Sequence, residues 1–341
     1  MKFHRNTYSF LSSIVLLCLC SCHEHGKQGS TKGIDTISTA KTAKKAPEIK
    51  NENTSGQKLL SLVFVRTDNI KNTTESQVLI FGEYCNGKYS VIDDTNNSVP
   101  SKRDSVLQKN KNWTLYFQSN PLCSLTVTKI DSAQYDCTPL MVGISKEKID
   151  TTKLIERQHE YIQGSEGYSK GKEVNYSQTT FFATNEMEAT TQIMKTPTDS
   201  LLKNPALSGL GTVLKRIYKS RDTMVYLNLY KNVVTPFTIN EEQYYLSTSD
   251  CSDTIKQMLA SMLCIFKIKN NTIDTVATMY KGLAIDSWGN GYNIIDMEDI
   301  DGDGIPELIM LEEGYEDSAV VIINLKDLKF NIVFNRDLFG C

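Results

Sequence analysis

The sequence predicts an α+β protein that is mainly β: an N-terminal β-sandwich or small barrel, followed by an α+β domain that ends in β-hairpins. Three observations predict it. Residues 59–150 divide into short apolar or alternating segments separated by turn residues, the pattern of a sandwich or barrel. Apolar residues fall at helical spacing only between 151 and 263. From 264 onward short apolar segments return, joined by Asn, Gly and Asp.

In chain order, residues 60–65 are apolar and branched, as a strand requires. Residues 77–84 run through Cys85-Asn86-Gly87 into 88–92, and Asn-Gly is the strongest short hairpin signal. Segments 113–118, 124–130 and 138–144 follow as strands. Leu154, Ile155, Tyr161 and Ile162 mark a helix that Gly164 stops. A polar, glycine-containing stretch to 178 follows; it makes 151–178 a helix and linker, with the second domain at 179–341. Leu210, Val213, Leu214, Ile217 and Tyr218 share one face of a second helix. A third helix is expected over 253–263, capped by Ser252 or Asp253, with Ile255, Met258, Leu259, Met262 and Leu263 as its stripe. Its methionines read as core filler. Strands are expected at 224–230, at 264–268 and 273–279 around an Asn270-Asn271 turn, and at 292–297, 308–311, 319–324 and 330–334. No repeat covers the chain, so a full propeller is not predicted.

The first residues read as an export signal, residues 1–21. Lys2 and Arg5 precede an apolar run over 11–20, too short for a membrane span of roughly 20 residues. The run ends in Leu19-Cys20-Ser21-Cys22, which resembles the lipobox of bacterial lipoproteins, although Cys20 departs from the usual small residue at its position. The resemblance implies cleavage before Cys22 and lipid on Cys22. The protein would then be anchored to a membrane on the exported side of the cell envelope, periplasmic or surface-exposed. An ordinary secretory signal cut nearby is the alternative. Residues 22–58 have few large apolar residues and no periodicity and read as a disordered tether with a reach on the order of 30 Å. No later segment is long and apolar enough to span a bilayer, so the lipid is the expected membrane contact.

The whole chain carries a formal charge of −3. Loss of Lys2 and Arg5 with the signal leaves −5, and the tether holds seven lysines against four acids, so the body from 59 onward is −8. That charge argues against nucleic acid, whose phosphates are bound by Lys and Arg. Six cysteines remain beyond the lipid site: Cys85, Cys123, Cys137, Cys251, Cys264 and Cys341. In an exported protein they permit disulfides. Cys123 with Cys137, and Cys341 with Cys251 or Cys264, are the expected pairs; buried free thiols are the alternative. No CxxC pair points to zinc or thiol redox chemistry.

One segment carries chemistry: Asp299-Ile300-Asp301-Gly302-Asp303-Gly304-Ile305-Pro306-Glu307-Leu308. Carboxylates at relative positions 1, 3, 5 and 9 supply hard oxygens to a cation that takes six to eight of them, and the Ile305 carbonyl can complete the ring. The spacing is not that of an EF-hand, whose bidentate Glu at position 12 is here Met310. The segment resembles the calcium loop of FG-GAP and VCBS-type repeats, which joins two strands of a blade. The resemblance implies structural Ca²⁺ on Asp299, Asp301, Asp303 and Glu307, with blade-like hairpins on either side. A solvated acidic turn is the plain alternative.

Other chemistry is sparse. His159 is the one histidine after residue 58, so a Ser-His-Asp or Cys-His arrangement would have to use it, and nothing aims a nucleophile at it. No phosphate-binding glycine loop appears. Trp288, beside Gly289-Asn290-Gly291, reads as packing over a hairpin or as a sugar platform. The expected function is a non-enzymatic binding or interaction module for a protein or glycan ligand. The alternative is a carboxylate-dependent hydrolase of envelope or extracellular polymer.

Overall fold

A computed structural model of the chain describes residues 57–68, 73–92, 102–135, 138–147, 149, 176–185, 193–194, 204–221, 227–253, 258–282, 291–313 and 317–340. Strands dominate, arranged in three antiparallel sheets. The expected signal, Cys22, nearly all of the tether, the helix with His159, and Trp288 lie outside the described residues.

The first sheet has eight strands: β1 (Lys58–Asp68), β2 (Thr73–Cys85), β3 (Lys88–Val91), β4 (Asn112–Phe117), β5 (Asn120–Thr126), β6 (Lys129–Tyr135), β7 (Thr138–Ser145) and β8 (Tyr176–Thr184). The order is β5-β4-β8-β1-β2-β7-β6, with β3 paired to β2. Its edges, β5 and β6, are joined by Val127-Thr128 alone, so the sheet must curl until they almost meet. Thr128 N–H reaches the Ile144 carbonyl at 2.9 Å and fixes that corner. Gly143 is required beside it, because a Cβ there would lie 2.7 Å from a Val127 methyl. Val63, Val65, Val78, Ile80, Trp113, Leu115, Leu125 and Phe181 pack together on one face, closed by Leu107 of α1 (Lys102–Lys109).

The second sheet is a four-stranded meander: β9 (Leu227–Ile239), β10 (Glu242–Asp253), β11 (Met258–Lys269) and β12 (Thr272–Gly282). The third is another: β13 (Gly291–Glu298), β14 (Glu307–Glu313), β15 (Asp317–Asn324) and β16 (Asn331–Gly340). The central strands of the third sheet, β14 and β15, are buried on both faces. Ile309, Leu311, Val320 and Ile322 pack on Leu60, Leu62, Phe64, Leu79 and Phe81 of the first sheet. Leu308, Met310, Val321 and Ile323 pack on Phe237, Leu246, Leu263 and Ile265 of the second. Two-sided burial explains the unbroken apolar runs of β14 and β15. The outer face of the second sheet is covered by Leu210, Leu214 and Tyr218 of α3 (Leu210–Arg221), which follows the one-turn α2 (Pro205–Ser208) capped by Asn204.

Four expectations are corrected. The helix expected over 253–263 is absent: Asp253 ends β10 and Met258 begins β11. Leu263 and Ile265 face the third sheet while Ala260, Met262 and Cys264 face α3, and an apolar run buried on both sides suits either period. The first sheet does not stop at residue 150; β8 lies between β4 and β1 at its centre. Segment 124–130 is two strands meeting at the corner of the curled sheet. Cys123, Cys251 and Cys264 are free thiols, so the expected disulfides do not form; Cys137 and Cys341 lie outside the described residues. Burial against α3 pushes the Cys251 thiol up to about 11 and the Cys264 thiol up to about 12, so both stay protonated and act as small apolar groups.

Ser119 ties the three sheets together. It and Gln118 form the β4–β5 turn with φ of 60° and 52°. The Ser119 amide donates to Asp296 Oδ1 of β13 at 2.9 Å, and its hydroxyl donates to the Met297 carbonyl. The same hydroxyl accepts the Met194 amide at 3.1 Å, and Met194 bridges to Phe237 of β9.

Candidate cation site

The acidic segment links β13 to β14. Its backbone is shaped by its own carboxylates. Asp299 Oδ1 accepts the Gly302 amide at 2.8 Å and Oδ2 the Gly304 amide at 3.0 Å. Asp301 Oδ1 accepts the Asp303 amide at 3.1 Å, and Asp303 Oδ1 the Ile305 amide at 2.8 Å. Gly304 sits at φ +81° with open space around its Cα, so conformation, not crowding, calls for glycine there.

Glu307 opens β14 and is fully buried. Its Oε2 accepts the Ile300 amide at 2.8 Å, and its Oε1 accepts Asn324 Nδ2 of β15 at 2.5 Å. The sheet register sets Glu307 between Glu298 on one side and Asn324 on the other. Single carboxylate oxygens of Asp299, Asp301 and Glu307 lie within 4.8 Å of one another. Asp303 is exposed at the loop tip and outside that group, and Ile305 is half-buried. The loop thus brings together three of the four expected carboxylates.

Burial and crowding oppose ionisation here. Burial, then the charge of Asp301, pushes the Glu307 carboxyl up to about 8. Burial, then Asp303, pushes Asp301 up to about 6. Burial also raises Asp299, against the amides of Gly304 and Gly302 and the charge of Lys58. These are all-oxygen donors crowded together and partly or fully withdrawn from water, a set that fits a hard divalent cation. Nearby, the Tyr84 and Tyr89 rings lie tilted at 52° to each other with centroids 4.9 Å apart, and both phenols are raised by burial and then by the loop's acids.

Two partners of the loop escaped the sequence reading. Lys58 Nζ donates to the Ile300 carbonyl at 2.6 Å across 242 positions, and Asn324 holds Glu307 across 17. Asn324 ends the apolar run of β15, a visible polar break; Lys58 looked like the last tether residue but begins β1.

Compared with family models, curated proteins and solved structures, the chain matches none.

Proposed function

We propose that the protein is a lipid-anchored envelope module without catalytic activity, in which Ca²⁺ bound by the 299–307 loop stiffens the C-terminal sheet for a binding role. The observation that carries the calcium reading is the meeting of Asp299, Asp301 and Glu307 within 4.8 Å on a loop whose backbone their side chains shape. Asp303 and the Ile305 carbonyl complete the expected ligand set. The ion supplies positive charge that burial denies these carboxylates, and no more chemistry than that is needed. Export and lipid on Cys22 rest on the lipobox-like leader. The partner proposed is a protein or glycan on the exported side of the envelope, periplasmic or at the surface.

A carboxylate-dependent hydrolase needs two acids facing an open cleft. The acids gathered here converge on one another within a single loop instead, and the groove between α1 and the β5–β6 corner is lined by Leu107, Lys111, Val127 and Lys129 with no carboxylate.

Thermal unfolding of the mature chain in saturating Ca²⁺ and in chelator tests the reading. At 100 times the dissociation constant, an ion bound by the folded state alone adds about 2.7 kcal/mol. The Tm should rise for the native chain and stay fixed for an Asp301→Ala, Asp303→Ala variant. Equal responses, or none, would contradict it.

A further inference from the structure

Lys58 is the first residue of β1 and is 7% exposed. Its ammonium has left water and donates to the Ile300 carbonyl at 2.6 Å, on the residue between two proposed ligands. Ile300 is itself buried in the core shared by the first and third sheets. On the neighbouring strand, Lys58 is the register partner of Tyr84, which belongs to the same core. A void too small for more than water, of about 10 Å³, lies beside Lys58 and is lined also by Tyr116, Phe182, Thr184, Glu298, Asp299 and Ile300. The start of β1, the β2–β3 hairpin and the acidic loop therefore converge on one spot.

A buried ammonium is costly unless carbonyl oxygens and acids surround it. The loop and the end of β13 supply both here: the Ile300 carbonyl accepts from the ammonium at 2.6 Å, and the carboxylates of Asp299 and Glu298 line the void beside it. A cation drawing Asp299 and Asp301 inward fixes the peptide between them, and with it the carbonyl that Lys58 holds. We infer that Lys58 is a positioning residue for the cation loop, and that through the Lys58–Ile300 bond cation binding is coupled to the docking of the N-terminal end of β1. This rests on the calcium reading above. Its consequence is mechanical: the ion fixes the point where the chain from the anchor enters the folded body. Such coupling is reciprocal, so a chain pulled loose at Lys58 loosens the ion as well.

Amide hydrogen exchange on the full chain, with Ca²⁺ and with chelator, tests it, with calcium binding followed separately by calorimetry. The expected result is that Ca²⁺ slows exchange at residues 59–62 by about tenfold, within the usual span of coupled sites. Amides at 245–247 in the second sheet should not change. Lys58→Met should lose the effect at 59–62 and Lys58→Arg should recover it. Calcium binding with protection confined to 299–307 would overturn the inference and leave the calcium reading standing; absence of calcium binding would overturn both. If Lys58→Met does not fold, the native pattern alone decides between these outcomes.

Discussion

The second and third sheets are both four-stranded antiparallel meanders, yet they turn their strands differently. In the second sheet, Asn240-Glu241 and Asn270-Asn271 reverse the chain, each residue at positive φ between 48° and 66° and exposed to water. These turns do nothing except turn. In the third sheet, the first connection spends eight residues, 299–306, on a loop whose second residue, Ile300, is buried against the first sheet. A turn in water needs only residues that tolerate the left-handed region. A turn pressed between sheets must also satisfy every buried amide and charge, which is the work of the loop's carboxylates, Lys58 and Asn324.

The buried acids of the two sheets differ in the same way. Asp250 of the second sheet accepts a hydrogen bond from Ser261 within its own sheet at 2.6 Å. Asp296 of the third, wholly buried, accepts the Ser119 amide from the first sheet. Burial pushes Asp296 up to about 7 from 3.8, despite the amides of Met297, Ser119 and Gln118. Between those two values the folded chain holds a proton that the unfolded chain has released. Its contribution to stability therefore falls as pH rises from about 4 to 7 and is level above, by at most about 4 kcal/mol. Asp296→Asn should remove that decline, seen as the difference between the two proteins' denaturant-unfolding free energies across the window. Parallel pH profiles would break the comparison by showing that Asp296 is not buried at the junction.

The smallest effect distinguishes the turns themselves. Gly304→Ala forces a Cβ into positive φ and should cost about 1–2 kcal/mol. Asn271→Gly, in the exposed turn, should change stability by less than about 0.5 kcal/mol. Equal effects in thermal unfolding would mean that the acidic loop is no more constrained than an ordinary hairpin turn.

The same contrast governs what the sequence revealed. Exposed turns announce themselves, so the hairpins at Asn86-Gly87 and Asn270-Asn271 were legible with their strands. Two-sided burial erases the alternation that marks a strand, which is why β11 read as a helix up to residue 263 and as a strand only from residue 264. β8 was hidden because it follows a polar stretch and joins the sheet only through long-range pairing with β1 and β4. In the site, the carboxylate spacing was legible because ligands on one short loop obey a local rule. Lys58 obeys none: it meets Ile300 only because the first and third sheets stack, and no local pattern records that contact.

Calorimetric titration of Ca²⁺ into the mature chain, beside Glu307→Gln, tests the central claim most directly. Glu307 is the ligand the sheet itself holds, between Ile300 and Asn324. The account predicts one site per chain, lost or weakened by about a hundredfold in the variant, which is about 2.7 kcal/mol of binding free energy. No site in the native chain, or a site that Glu307→Gln leaves intact, would contradict it.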